Sequence, residues 1–280
     1  MYLGFEINDY RPLGPVLDSD IQRFKNQAKG QYQQLSAYLV GQVKGKDVID
    51  ADKIANHLFP TQDSHIFLSH SHADEVDAIR LAVSLEKKGL KVFVDSCVWE
   101  YFQNLVDDLN MQYSEPETTQ GIIHYNYEKA TQVSVSVHMM LVGALQAMID
   151  RTETFIFLNT SNSAPLKNYE RFDRTFSPWI YSELQFSQFA EQRFPERVSQ
   201  EAGMVLDGIQ ERMFKSIARA DMTMAYKAFN KHLPKVSGND LKHWYAGLSD
   251  SGLKALDNLY RATNLVDEFK KARKAVGRDM

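Results

Sequence analysis

Three short apolar runs, spaced by helix-forming sequence, constrain this chain more than any other feature. They are His65-Ile66-Phe67-Leu68-Ser69, Lys91-Val92-Phe93-Val94-Asp95 and Thr154-Phe155-Ile156-Phe157-Leu158-Asn159. Apolar side chains in succession, with no polar alternation, suit strands buried on both faces, as in the parallel sheets of α/β proteins. Between the first two runs, Val76, Ile79, Val83 and Leu85 follow a helical stripe. Gly89 is placed to stop that helix, because glycine tolerates the left-handed conformation past a helix end. Ser71 and Asp74 have the spacing of a capping box, with aspartate in the glutamate position. Together these pieces predict a right-handed βαβ unit of about thirty residues.

The remaining chain divides around this unit. Residues 1–62 read as a helical leader: polar sequence over 17–43, then a short helix over 50–58 closed by Pro60. Residues 96–128, rich in acidic groups and in Trp99, Tyr101, Tyr113, Tyr125 and Tyr127, read as an irregular insertion. A helix is expected over 129–150, its apolar side formed by Val133, Val137, Met140, Leu141, Leu145 and Met148. A polar loop over 160–176 follows the third run. Helices are expected over 197–220, 240–260 and 266–276, with a further strand within 222–233. The basic run Lys270-Lys271-Ala272-Arg273-Lys274 reads as a solvated helix face. The expected fold class is α/β, an open, doubly wound parallel sheet. The domain reading is a helical extension over 1–62, a sheet domain over 63–245 and a C-terminal helical extension over 246–280.

Composition narrows the function classes. A net charge of -4 supplies no global basic field for nucleic acid. The single cysteine, Cys97, excludes an intramolecular disulfide and a cysteine-rich zinc site, and fits a reducing cytoplasm. No apolar run is read as reaching the roughly 20 residues that span a bilayer, so no membrane partner is expected. Residues 1–11 do not have the pattern of a secretory signal.

Candidate site residues follow from the topology. Ligands of open α/β sheets bind outside the carboxyl ends of the strands. Those ends are Ser69-His70-Ser71, Asp95-Ser96 and Asn159-Thr160. Beyond the third lies Ser177-Pro178-Trp179-Ile180-Tyr181-Ser182-Glu183-Leu184, whose Ser-Pro opening is a helix-start signal. Trp179 and Glu183, four apart, share a helix face. Trp179 either stacks on a flat ligand or packs in the core. Ser69, His70 and Ser71 offer hydroxyl and backbone groups to ribose or phosphate. Asp95 either borders the pocket or caps a turn, and Asn159 holds the equivalent place on the third strand. His138, on an otherwise apolar helix, reads as a core histidine. A competing pattern is His70-Ser71-His72-Ala73-Asp74, an H-x-H-x-D spacing that begins the metal motif of metallo-β-lactamase-type hydrolases.

Taken in order, Ile66-Phe67-Leu68-Ser69-His70-Ser71 with Asp74, Gly89-Leu90-Lys91-Val92-Phe93-Val94-Asp95, Phe155-Ile156-Phe157-Leu158-Asn159, and Ser177-Pro178-Trp179 through Glu183-Leu184 resemble a TIR (Toll/interleukin-1 receptor) domain. The resemblance covers residues 63–190 and extends toward Trp244 through His232-Leu233-Pro234. It implies a flavodoxin-like TIR fold. Enzymatic TIR domains cleave NAD at the nicotinamide–ribose bond, and their glutamate matches Glu183. Many bacterial members act in anti-phage defence. In the Thoeris type, infection switches the TIR protein on and it makes an ADP-ribose-derived messenger, commonly cyclic. The resemblance therefore implies NAD as substrate rather than a bound cofactor, self-association through TIR contacts, and a phage-derived trigger. TIR domains that only assemble with other TIR domains usually lack the carboxylate, and an adaptor is the non-enzymatic alternative. A lid role for 96–128 is a further expectation.

Overall fold

The computed structural model describes residues 1–29, 35–59, 64–169, 172–193 and 224–276. The N-terminal elements are β1 (Leu3–Asn8), α1 (Asp18–Lys29), β2 (Leu39–Val43), β3 (Lys46–Ile49) and α2 (Ala51–Leu58). Next come β4 (Ile66–Ser69), α3 (Glu75–Glu86), β5 (Val92–Val94), α4 (Ser96–Tyr113), β6 (Glu117–Thr119), β7 (Ile122–His124) and α5 (Tyr127–Arg151). The C-terminal elements are β8 (Thr154–Asn159), β9 (Leu166–Tyr169), β10 (Phe172–Thr175), α6 (Pro178–Phe189), β11 (Tyr226–Lys227), β12 (Lys235–Ser237), α7 (Gly238–Gly247), α8 (Leu253–Ala262) and α9 (Leu265–Val276). The chain divides into two units: residues 1–24, 63–95 and 148–280, and residues 25–62 and 96–147.

The larger unit is a mixed α/β structure on a five-stranded parallel sheet in the order β12-β1-β8-β4-β5. This is the architecture expected from the apolar runs. All six residues of β8 and all four of β4 are buried, because each strand has neighbours on both edges and cover on both faces. Phe67 stacks on Phe155 across the β4–β8 ladder, with ring centroids 5.8 Å apart. Truncating Phe155 to alanine removes about 3–5 kcal/mol of packing. Gly89 ends the βαβ helix as expected, at φ +74°. At the amino edge of the sheet, the Tyr260 hydroxyl of α8 meets Thr154 Oγ1 at 2.5 Å and donates to Glu153 at 2.8 Å.

The leader reading is corrected here. Residues 3–8 form an inner strand of this sheet, paired along its length with β8 and at its carboxyl end with β12. Leu3, Phe5 and Ile7 alternate with Gly4, Glu6 and Asn8, a period-2 signal that the charged Glu6 conceals when a wholly apolar run is sought.

In the smaller unit, residues 96–113 are one helix, α4, rather than irregular chain, with Phe102, Leu105 and Leu109 buried at helical spacing. Two hairpins, β2–β3 and β6–β7, turn on Lys44-Gly45 and Gln120-Gly121. Both residues of each turn have positive φ, as the favoured two-residue hairpin turn requires. The expected helix over 129–150 is α5, with Val137, Leu141 and Leu145 forming its buried stripe. His138 lies edge-on to Phe102, with centroids 4.8 Å apart. The 25 residues of α5 are long and apolar enough, by length and composition, to cross a membrane, which corrects the sequence estimate; 28% of its most apolar window is buried.

The single expected helix over 240–260 is two, broken between Gly247 and Leu253. The expected strand over 222–233 is the two-residue β11. The helix expected over 197–220 lies outside the described residues. Within the basic run on α9, Arg273 donates to the carbonyls of Gln188 and Ala190 at the end of α6, so it anchors one helix on another rather than facing solvent.

Candidate active site

The carboxyl edge of the sheet is where the chain reverses direction. From β4 the chain moves outward to β5, and from the adjacent β8 it moves the opposite way toward β12. Right-handed connections then leave a crevice between β4 and β8. Ser69 closes β4 within it, and Asp95 follows β5.

The acid comes from α6. Ser177 accepts a hydrogen bond from the Ile180 N–H at 3.3 Å, and Pro178 occupies the first helical position. This is the start that the Ser-Pro pair predicts. One helical turn further, Glu183 is buried at 2% exposure. Ser69 Oγ donates to Glu183 Oε2 at 2.6 Å. Asp95 lies beside the same carboxyl group, and His70 Nδ1 stands 2.9 Å from Asp95 Oδ1. That separation is an ion-pair distance with the ring N–H off the hydrogen-bond axis, so charge attraction rather than directionality joins the two. Ser69, His70 and Asp95 are likewise buried.

Four side chains from three separate segments thus form one sealed polar cluster. Glu183 Oε1 finds no donor. Two carboxylates cannot hydrogen-bond unless one carries a proton, and burial favours the neutral form. Burial, then the Asp95 charge, hold Glu183 well above the ordinary carboxylate range, against the opposing pull of the Ser69 hydroxyl. Burial alone would push His70 down; the Asp95 charge and hydrogen bonding, with smaller help from the Leu68 backbone and Glu75, outweigh it and raise His70. The consistent protonation state is an imidazolium on Asp95 and a protonated Glu183 directed at the same aspartate.

The other sequence candidates stand elsewhere. The Ser71 N–H donates to Ser163 Oγ at 3.2 Å, within a network that ties the loop after β8 to the start of α3. Asp74 accepts from Thr160 at 2.5 Å and Asn162 at 2.7 Å, so the Ser71/Asp74 capping box does not form. Asn159 donates to Glu6 Oε2 at 2.9 Å and accepts from Lys167, in a second buried network shared with Asn230. Trp179 is half-buried, one turn before Glu183. The H-x-H-x-D spacing makes no metal centre: His70 is turned on Asp95, His72 is exposed, and Asp74 is held by the β8 loop. Among the described residues no group of three or more histidine, cysteine or acidic side chains is placed to hold a metal ion. Sequence reasoning missed Glu6, a fully buried carboxylate at the same sheet edge that accepts from Asn159 and Asn230 and has the Lys235 ammonium at 3.7 Å. Its signal was the polar register of the β1 alternation.

Comparison of the chain with models of protein families, with curated proteins and with solved structures returned no match.

Proposed function

We propose that the chain is a TIR-type enzyme that cleaves the nicotinamide–ribose bond of NAD, with Glu183 as the catalytic carboxylate. The observation that carries this reading is the convergence of Ser69, His70, Asp95 and Glu183 on one buried cluster at the carboxyl edge of a parallel sheet. The order of the three resembling strands, β5-β4-β8, is the second-first-third arrangement of flavodoxin-like sheets. The next position departs from that arrangement, because β1 rather than a later strand fills it.

Nicotinamide in NAD is already a cationic leaving group. The C–N bond breaks with its electron pair going to nicotinamide, and the ribosyl carbon becomes oxocarbenium-like. A carboxylate beside that carbon stabilises the charge and accepts hydrogen bonds from the ribose hydroxyls. Glu183 serves once ionised, and the positive charge of the bound nicotinamide favours its ionisation. The Asp95–His70 pair holds the proton network in place, and Ser69 orients the carboxyl group. Water or another nucleophile then adds to the ribosyl carbon, giving ADP-ribose, a cyclic product or a conjugate. At 2% exposure Glu183 is closed to substrate, so turnover requires an opening step, which self-association or a phage-derived trigger supplies in an anti-phage defence protein of the cytoplasm.

Concentrated protein, or protein on a crowding matrix, is expected to consume NAD and release nicotinamide, followed by mass spectrometry of the product. Glu183→Gln is expected to lower that rate at least about a hundredfold while keeping the fold. The seal over Glu183 favours one second reading, a structural acid in an adaptor that works by TIR–TIR assembly. Intact NAD in samples that demonstrably assemble, or undiminished turnover by the Gln variant, decides for it.

A further inference from the structure

The small antiparallel sheet β9–β10–β11 gathers positive charge on one face. Arg174 of β10 pairs with Lys227 of β11. Phe172 lies two residues before Arg174, on the same side of its strand. Phe229 and Lys231 follow Lys227 at the same two-residue spacing. These side chains meet in space. Lys227 Nζ stands 3.5 Å from the centroid of the Phe172 ring and 4.8 Å from that of Phe229. Lys231 Nζ stands 4.2 Å from the same Phe172 centroid. Two ammonium groups therefore share one aromatic ring, with a guanidinium on the paired strand. Beside them the half-buried rings of Tyr226 and Tyr181 lie 5.2 Å apart, and Tyr181 meets Phe229 at 5.7 Å.

Neighbouring cations are neutralised and these are not. Lys167 has Asp173 at 3.7 Å, and Lys235 has Glu6 at 3.7 Å. Among the described residues neither Lys227 nor Lys231 has a carboxylate within ion-pair distance. Partial burial, then the charges of Lys231 and Arg174, lower Lys227 from the usual lysine range. In a chain of net charge -4, a cluster of like charges held together without a counter-ion is not a by-product of excess lysine. Aromatic faces offset part of the repulsion, and an anion would offset the rest.

We propose that this face binds a nucleotide-like ligand, with Lys227, Lys231 and Arg174 holding its phosphates and the Tyr226 and Tyr181 rings receiving its base. Ammonium groups are effective point-charge contacts for phosphate, and aromatic rings stack any nucleobase. The site is distinct from the Glu183 cluster: Tyr181 lies two residues before Glu183 and projects from a different side of α6. The assignment therefore does not depend on NAD cleavage.

Calorimetric titration of the full chain with ADP, inorganic pyrophosphate and adenosine tests it. ADP is expected to bind most tightly, pyrophosphate more weakly and adenosine least, with ADP affinity falling as salt rises. The double variant Lys227→Gln/Lys231→Gln is expected to weaken ADP at least about tenfold. Lys227→Arg/Lys231→Arg keeps the affinity, and Lys167→Gln, which removes a neutralised lysine, changes it little. Thermal melts of each variant separate lost binding from lost fold. Failure of ADP to bind wild-type protein overturns the proposal, as does binding that survives loss of both lysines in a folded variant. A single-stranded oligonucleotide held through the same lysines far more tightly than ADP overturns the small-ligand assignment in favour of nucleic acid.

Discussion

A proton shared between two acids decides how the candidate site behaves with pH. Folded, Glu183 keeps a proton above the ordinary carboxylate value of 4.5, and His70 keeps one above 6.5. A raised group contributes stability that is fully present below its unfolded value and lost as pH rises through its folded value. Both residues therefore make stability fall as pH rises, Glu183 from the carboxylate range upward and His70 from about neutrality. An amide at 183 mimics the protonated acid, because it donates toward Asp95 and carries no charge to desolvate. Glu183→Gln is thus expected to melt higher than wild type at the alkaline end, with a flatter profile in thermal melts from about pH 5 to about pH 9. A wild-type melting temperature that rises through that window contradicts the shared proton. At this scale the sequence was readable where a residue ends a strand. Ser69, His70 and Asp95 are polar groups at the carboxyl ends of apolar runs, and topology alone brings them to one edge. Asn159 had the same credentials, yet Glu6 captures it. That capture was not legible, because it depends on a strand that had not been recognised.

Elements were legible in proportion to how much of their signal was local. The start of α6 was readable because its cap and its proline act on the backbone directly. The 96–113 helix was not recognised, although Phe102, Leu105 and Leu109 recur at helical spacing, because its aromatic and acidic residues drew attention to composition instead of period. The Ser71/Asp74 spacing suggested a box that tertiary contacts override: Thr160 and Asn162 occupy the Asp74 carboxylate. The cap on α6 has a measurable consequence for function. Ser177→Ala leaves the Ile180 N–H without its acceptor and costs about 1 kcal/mol. Frayed at its first turn, α6 holds Glu183 less firmly against Ser69. Ser177→Ala is therefore expected to lower the denaturation midpoint modestly while lowering the rate of NAD loss, and Ser177→Asp, which restores a capping acceptor, is expected to recover both. Recovery of stability without recovery of rate separates the cap from the site.

For the whole molecule, the decisive fact is that the sheet is not built from one contiguous stretch. Its central ladder pairs β8 with β4 on one side and with β1 on the other, so residues near the start of the chain complete a core that otherwise begins near residue 66. The boundary drawn at residue 62 assumed that the resembling segment folds by itself. Leu3, Phe5 and Ile7 are fully buried, and their burial is worth about 5–9 kcal/mol together, comparable with the entire stability of an ordinary domain. Removing them also strips one edge of β8 of its partners and exposes an apolar strand to pairing with other chains. A chain lacking residues 1–8 is accordingly expected to be recovered aggregated or without a cooperative thermal transition. In the full-length chain, Phe5→Ala is expected to lower stability by about 3–5 kcal/mol by chemical denaturation, and Glu6→Ala, which leaves the Asn159 and Asn230 amides without their buried acceptor, to cost about 1–3 kcal/mol. If the shortened chain instead melts cooperatively near the wild-type temperature, β1 is an accessory strand, and the self-sufficient domain from residue 63 that the resemblance suggested is the better description.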